Sequence, residues 1–215
     1  MKNLIVIKIG GSFFRDSKIE TLKKISDIIQ ESNKKKILIV CGGGSAADLV
    51  RNFDKKVNLT DQAAHFAAIT AMDLNSYLLS SYFNESSFLT ADLELKSRIN
   101  LFAAQDYYRS FDPLPHSWQV SSDSIALEVA QRLKADKLIL LKQRYYNSSE
   151  RKDRNTAKRT IKADLLAADG LIDSFFSSLY LKDKNQLSAL IINANQPIYL
   201  QKYFSNKKSV FDIIS

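Results

Sequence analysis

Residues 1–14, MKNLIVIKIGGSFF, join an apolar run directly to a glycine turn. Leu4, Ile5, Val6, Ile7 and Ile9 are β-branched or large apolar residues, the pattern of a strand covered on both faces at the centre of a parallel sheet. Lys8 interrupts the run. Stripping water from an ammonium is expensive, so a lysine near the carboxyl end of such a strand is expected to point into a site that holds an anion. Gly10, Gly11 and Ser12 follow, and two successive residues without a Cβ let backbone N–H groups come close to a ligand oxygen. The combination predicts a phosphate cradle, although a glycine turn after a strand is common in itself and a strand-end lysine often just reaches solvent. The turn is neither a Walker loop nor a Gly-x-Gly-x-x-Gly fingerprint.

A second turn of the same kind strengthens the reading. Lys36–Cys41, KILIVC, is another apolar strand, and Gly42, Gly43, Gly44 and Ser45 follow it directly. Between the two, residues 18–32 carry Ile19, Leu22, Ile25, Ile28 and Ile29 at spacings of three and four, an amphipathic helix with Asp16 or Ser17 placed to cap it. Strand, glycine turn, helix and strand make a right-handed βαβ unit. Both glycine turns are therefore expected at the carboxyl ends of parallel strands, where open sheets bind their ligands. Residues 45–53 read as a short helix whose amino terminus adds partial positive charge there.

Residues 60–82 are the longest helical run, with Ala63, Ala64, Ala67, Ala68 and Ala71 permitting close packing. Asp61 and His65 stand one turn apart on one face. A histidine on an apolar helix is more often structural than catalytic, which leaves the role of His65 open. Residues 98–104 read as a strand. The segment DPLPHSW, 112–118, holds two of the three prolines and is expected to be an irregular, substrate-facing loop. Ser121, Ser122 or Asp123 then caps a helix over 125–133, and KLILL, 137–141, is the next buried strand. Residues 143–162 are polar, basic and without periodicity, the composition of an exposed loop. A helix over 165–180 interrupted at Gly170, a strand at 189–192, a helix from Pro197 to 204 and a last strand over 210–214 complete the chain.

With 215 residues, 45% of them apolar, the chain can bury a core as one domain or two joined lobes. No repeat or low-complexity linker divides it, so 1–215 is read as one domain. A single cysteine, Cys41, excludes an internal disulfide, and no Cys/His cluster has metal-ligand spacing; a reducing cytoplasm and no structural zinc are expected. The apolar runs are too short for a signal peptide or a membrane span. The net charge of +8 is spread in short runs, which favours a solvated basic face and a small anionic substrate over nucleic acid.

Taken together, KIGGS at 8–12, CGGGS at 41–45 and SSDSIALEVAQRLKADKLILL at 121–141 resemble the amino acid kinase superfamily, which includes acetylglutamate, aspartate, uridylate and isopentenyl phosphate kinases. Within it, DQAAHFAAITAMD at 61–73 and DPLPHSW followed by SSDSIA are most similar to the archaeal kinases of aminomethylfuran phosphate. The resemblance implies an α/β fold, a three-layer αβα sandwich around a mainly parallel sheet. It implies an acceptor-binding half over 1–120, a nucleotide-binding half over 121–215, ATP and Mg²⁺ as cofactors, and a homo-oligomer. Carried over by position, Lys8 would neutralise the transferring phosphoryl group and Asp123 would orient catalytic lysines. Gly10, Gly11 and Ser12 would hold the ATP phosphates. Gly42, Gly43 and Gly44 would contact the acceptor, with Asp61, His65, Ser121 and Ser122 near it. Lys142 falls where the family contacts nucleotide, and no residue is assigned as a metal ligand.

The departures lie in the nucleotide half. Lys142-Gln143 stand where the family has Thr-Asp, and Arg144-Tyr145-Tyr146 replace a Val-x-Gly turn. A glycine-rich segment carrying the second catalytic lysine is not evident, leaving Lys158 or Lys162 as substitutes, and no terminal Gly-Thr stands near Ser209-Val210. The leading expectation is an ATP-dependent kinase of a small anionic metabolite, a phosphomonoester or carboxylate. The rival is a non-catalytic binding protein of the same fold with an eroded ATP side.

Overall fold

The computed structural model describes residues 3–33, 36–146, 158–182, 187–207 and 209–215. One eight-stranded sheet runs through them. Its centre is β1 (Leu4–Ile9), all six residues of which are buried. β1 pairs in parallel with β2 (Lys36–Cys41) on one side and β5 (Lys137–Lys142) on the other. Beyond β2 lie β4 (Ile99–Phe102) and β3 (Ser87–Leu89); beyond β5 lie β7 (Ser188–Asn193), β8 (Phe211–Ile214) and β6 (Lys158–Ile161). The strands from β3 to β7 are parallel, whereas β8 runs antiparallel to β7 and β6 follows β8.

Strand alternation sorts the apolar residues into two cores. Leu4 and Val6 of β1, Leu38 and Val40 of β2, and Leu138 and Leu140 of β5 face one layer. That layer includes α3 (Asp61–Ser80), α4 (Ala104–Ser110), α5 (Ser122–Arg132) and α7 (Ser174–Leu181). Ile5, Ile7 and Ile9, with Ile37, Ile39, Ile139 and Leu141, face α1 (Ile19–Glu31) and α8 (Ile198–Phe204), which contribute Leu22, Ile25, Ile29, Leu200 and Phe204. The result is the expected three-layer α/β sandwich. α2 (Gly44–Val57) buries none of its residues fully and packs on α3, while α6 (Ala163–Ala168) packs on α7.

Two expectations are corrected. The strand predicted over 98–104 stops at Phe102, because the Asp73 carboxylate accepts hydrogen bonds from the amides of Ala104 (2.6 Å) and Gln105 (2.9 Å) and so starts α4. The region predicted as loop from 143 contributes an edge strand, β6, and residues 147–157 of it lie outside the described residues. The interruption predicted at Gly170 within the helix over 165–180 forms: Gly170 takes φ +68° between α6 and α7, and α7 is restarted by Asp173, whose carboxylate accepts from Phe176 N at 2.7 Å. Glycine reaches that backbone region without the Cβ penalty that other residues meet.

Candidate active site

The same alternation that builds the sheet places the ammoniums. Lys8 shares a face with Leu4 and Val6, and Lys142 shares that face with Leu138 and Leu140. β1 and β5 are adjacent, with Lys8 in register with Leu140. Both lysines thus stand at the carboxyl edge of the sheet on the side covered by α5. Asp123, the second residue of α5, sits between them. Its Oδ1 is 2.9 Å from Lys8 Nζ and its Oδ2 is 2.6 Å from Lys142 Nζ. Lys8 is 5% exposed and Asp123 4%, so this is a buried lysine–aspartate–lysine clamp.

Burial alone would raise the Asp123 carboxyl, but the Lys142 and Lys8 ammoniums outweigh it and hold the group at about 2. Burial has the opposite effect on Lys142: together with the nearby charge of Lys8 it outweighs the pull of Asp123 and lowers the amine to about 8. Two ammoniums share one carboxylate, and the clamp carries net positive charge toward the end of the sheet.

The two glycine turns meet beside it. Gly42 N donates to Ile9 O at 2.9 Å, stitching one turn to the end of the other strand. A Cβ on Gly11 would lie 2.1 Å from Gly44 N, and one on Gly44, whose φ is +54°, would lie 2.3 Å from Gly11 O. Backbone stands against backbone, so glycine is required at both positions. A Cβ on Gly42 would lie 2.9 Å from the Ser122 hydroxyl. Asn75, buried on α3, donates to Gly42 O at 2.6 Å and fixes the second turn from below. Cys41, which ends β2, is buried, and burial pushes its thiol up to about 12.

A cavity of about 310 Å³ opens over these turns. Gly11, Ser12, Gly42, Gly43, Gly44, Asp61, His65, Ser121 and Ser122, all proposed from sequence as phosphate or acceptor contacts, line it. Gly10 stands one residue behind the wall and is not among the lining residues. Arg15, Asp48, Arg51, His116 and Trp118 complete the polar rim. The Trp118 indole donates to Asp54 at 2.7 Å and carries the Arg51 guanidinium 4.6 Å above its ring. Burial and the neighbouring His116 lower the pKa of His65, which favours the neutral imidazole.

Of the three cap candidates, Ser121 is the one that caps α5. Its hydroxyl accepts from Asp123 N at 3.1 Å and donates to Asp173 at 2.6 Å. Asp173 also accepts from the amide and hydroxyl of Ser124, at 3.2 and 2.5 Å. One carboxylate therefore ties the start of α5, and with it Asp123, to the start of α7. Sequence reasoning missed Asp173; the signal available was an aspartate just before an apolar helix.

Residues 3–165 match the amino acid kinase family. The chain belongs to this family. It is 33% identical over 143 residues to the aminomethylfuran phosphate kinase of Methanocaldococcus jannaschii, a match covering 63% of each chain. It is 26% identical over 140 residues to the uridylate kinase of Sulfurisphaera tokodaii, covering 63% of this chain and 60% of that one. The chain thus spans less than two thirds of the length of the curated relatives it matches. Two solved structures share the fold: uridylate kinase from Archaeoglobus fulgidus, at TM-score 0.71 and 17% identity with full coverage of both chains, and UMP kinase from Ureaplasma parvum, at TM-score 0.71 and 20% identity, covering 100% of this chain and 99% of that one.

As a member of the amino acid kinase family, the chain departs from its pattern in a way that the geometry explains. Lys142, assigned from sequence to nucleotide binding at a position where the family has threonine, supplies the second ammonium on the clamp aspartate. Lys162, one of the two substitutes considered, is exposed at the start of α6, and the side chain of the other, Lys158, lies outside the described residues. The residues replacing the Val-x-Gly turn are structural: Tyr145 is buried with its hydroxyl donating to Val210 O at 2.6 Å, and Arg144 pairs with Asp169.

Proposed function

We propose that this protein is an ATP-dependent kinase that passes the γ-phosphoryl group to a small phosphorylated metabolite, giving ADP and a diphosphate. The observation that carries the reading is the buried Lys8–Asp123–Lys142 clamp, set beside two interlocked glycine turns that floor one cavity. Phosphoryl transfer asks for alignment and for neutralisation of charge on the migrating group more than for a covalent catalyst. Lys8 and Lys142 supply the charge, Asp123 holds both in place, and the N–H groups of Gly10, Gly11 and Ser12 cradle the phosphates. A phosphomonoester oxygen is already ionised, so the P–O bond to ADP breaks and the new one forms with no proton to remove. That fits a clamp whose single carboxylate is occupied by two ammoniums and free to act as no one's base.

The fit to cofactor follows from the same donors. Both Asp123 oxygens face ammoniums, so Mg²⁺ would be held mainly by the phosphates of ATP, where it adds neutralising charge. The nucleotide is assigned to the half from 121 to 215 and the acceptor to the half from 1 to 120, within a single domain. The acceptor that names the M. jannaschii relative combines a phosphate, an amine and an aromatic ring. The cavity offers matching partners: the glycine turns and the amino terminus of α2, the carboxylates of Asp48 and Asp61, and the indole of Trp118. We therefore assign the acceptor to phosphomonoesters of amine-bearing aromatic alcohols. A homo-oligomer is supported by Leu49, Phe53 and Val57, exposed at four-residue spacing along α2. No described helix is long and apolar enough to cross a membrane.

The test is ADP release from Mg-ATP with a panel of phosphomonoesters, with the corresponding free alcohols and carboxylates as controls. ADP formed with phosphomonoesters alone is the expected result. No ADP with any acceptor, together with no ATP affinity below the millimolar range, would overturn the reading and favour a binding protein.

A further inference from the structure

One wall of the cavity carries a cluster that phosphoryl transfer leaves unused. His65 on α3 and His116 in the proline loop stack ring on ring, centroids 4.1 Å apart and planes within 18°. Both turn Nε2 toward the same carboxylate: His116 Nε2 is 2.8 Å from Asp112 Oδ2, and His65 Nε2 is 3.5 Å from Asp112 Oδ1. One ligand atom from each of the three residues lies within 4.8 Å of the others. His65 is only 9% exposed, and its Nε2 is buried without a hydrogen-bond partner. A buried polar atom with no partner is unusual and costly, which asks for a ligand at that point.

We propose that His65, Asp112 and His116 bind one divalent transition-metal ion of the zinc class, with its remaining coordination position open to the cavity. Zinc bonds of about 2.0–2.2 Å in tetrahedral geometry put neighbouring ligand atoms roughly 3.4 Å apart, a spacing that the three residues, whose ligand atoms lie within 4.8 Å of one another, reach with small side-chain rotations. Two imidazoles and one carboxylate suit zinc, cobalt or nickel; magnesium and calcium prefer oxygen ligands throughout. Three protein ligands leave a vacancy, the pattern of a working site rather than a closed structural one. His65 and His116 both line the cavity, so that vacancy faces the space assigned to the acceptor. An ion there would anchor an anionic or amine group of the acceptor opposite the clamp. This last consequence rests on the kinase reading; the metal site does not.

Tag-free protein stripped with a chelator and titrated with Co²⁺ tests the site directly. The expected result is one Co²⁺ per chain, with the visible absorption of a tetrahedral ion, displaced by one equivalent of Zn²⁺ and indifferent to millimolar Mg²⁺. His65→Gln, His116→Gln and Asp112→Asn should each weaken binding at least about tenfold, while Lys142→Met leaves it unchanged. Thermal melting of each metal-free variant identifies those that keep the wild-type fold, and those alone are compared; the exposed Asp112 and half-buried His116 provide variants least able to disturb the core. Absence of stoichiometric binding tighter than about 10 μM in wild type overturns the proposal, as does binding that survives the His65→Gln/His116→Gln pair. A failed kinase assay with intact Co²⁺ binding would count against the reaction and leave the metal site standing.

Discussion

Replacing Lys142 by methionine separates catalysis from stability. The side chain keeps its length but loses an ammonium held 2.6 Å from Asp123 Oδ2. In the folded protein that ammonium releases its proton at about 8 rather than the ordinary 10.5. At about 1.4 kcal/mol per pH unit, the fold therefore disfavours the charged form by roughly 3 kcal/mol. The unfolded chain holds the proton up to 10.5 while the folded one releases it near 8, so wild-type stability rises between those values. Lys142→Met removes this burden but also the strongest attraction on Asp123, and the two changes oppose each other at neutral pH. The variant should melt within a few degrees of wild type and lack the alkaline rise. Asp123, whose carboxyl at about 2 lies below its ordinary 3.8, contributes stability above that value that is lost as pH falls through 2. With one ammonium left beside it, that acid loss should be smaller and should end at higher pH.

Turnover should respond quite differently. Removing one preorganised charge from a developing phosphoryl oxyanion costs about 3–4 kcal/mol, or 10²–10³ in kcat. In wild type, kcat/KM, which reports the free enzyme, should fall above a pH near 8 as Lys142 loses its proton; the residual activity of the variant should show no such limb. Coupled ADP-release kinetics from pH 6 to 10, beside thermal melts of both proteins, give every quantity. Turnover of the variant within threefold of wild type, or a wild-type profile flat to pH 9.5, would refute the role given to Lys142.

Gly11→Ala should force the two turns apart, because its Cβ would stand 2.1 Å from Gly44 N, whereas Gly10→Ala meets nothing nearer than 3.5 Å; urea denaturation should show a loss of at least about 2 kcal/mol for the first and under about 0.5 for the second. Asp173→Ala strands the donors of Ser121, Ser124 and Phe176 together and should cost about 2–4 kcal/mol by the same measurement; a loss under 1 kcal/mol would show that Asp173 does not brace α5. Phe53→Glu on the exposed face of α2 should lower the molar mass seen by light scattering without changing helix content, and an unchanged mass would remove that face as the interface between copies.

What could be read from sequence was what local chemistry dictates. The β1 run, the two glycine turns and the amphipathic spacing of α1 each specify their own backbone, and the structure forms all of them. What escaped depends on distant partners. α4 exists because Asp73, 31 residues away, caps it. β3 is three residues long and β6 lies at the sheet edge, too short and too polar for a clear period. Asp173 reaches Ser121 across 52 residues. The role of Lys142 was in principle legible: residues 138, 140 and 142 share a face by strand alternation, and that face meets Lys8. Comparing it with the residue usual at that position concealed what the alternation implies.

On the proposed kinase reading, the clamp also explains why so poor a site for stability is tolerated. Two ammoniums and one carboxylate leave one positive charge in a mostly buried place, and burial, with the Lys8 charge adding to it, is what lowers Lys142. A second carboxylate would cure it, yet would also repel the phosphoryl group and occupy the space the group must cross. An apolar residue in place of Lys142 would cure it too, at the loss of half the positive field. Only an incoming anion neutralises the charge without changing the protein. The glycine turns, interlocked so tightly that no Cβ fits between Gly11 and Gly44, present backbone rather than side chains to each other beside the clamp. On the kinase reading proposed above, a phosphate held between the ammoniums would offset that unfavourable charge, which places the gain at the step where the group is bound and moved.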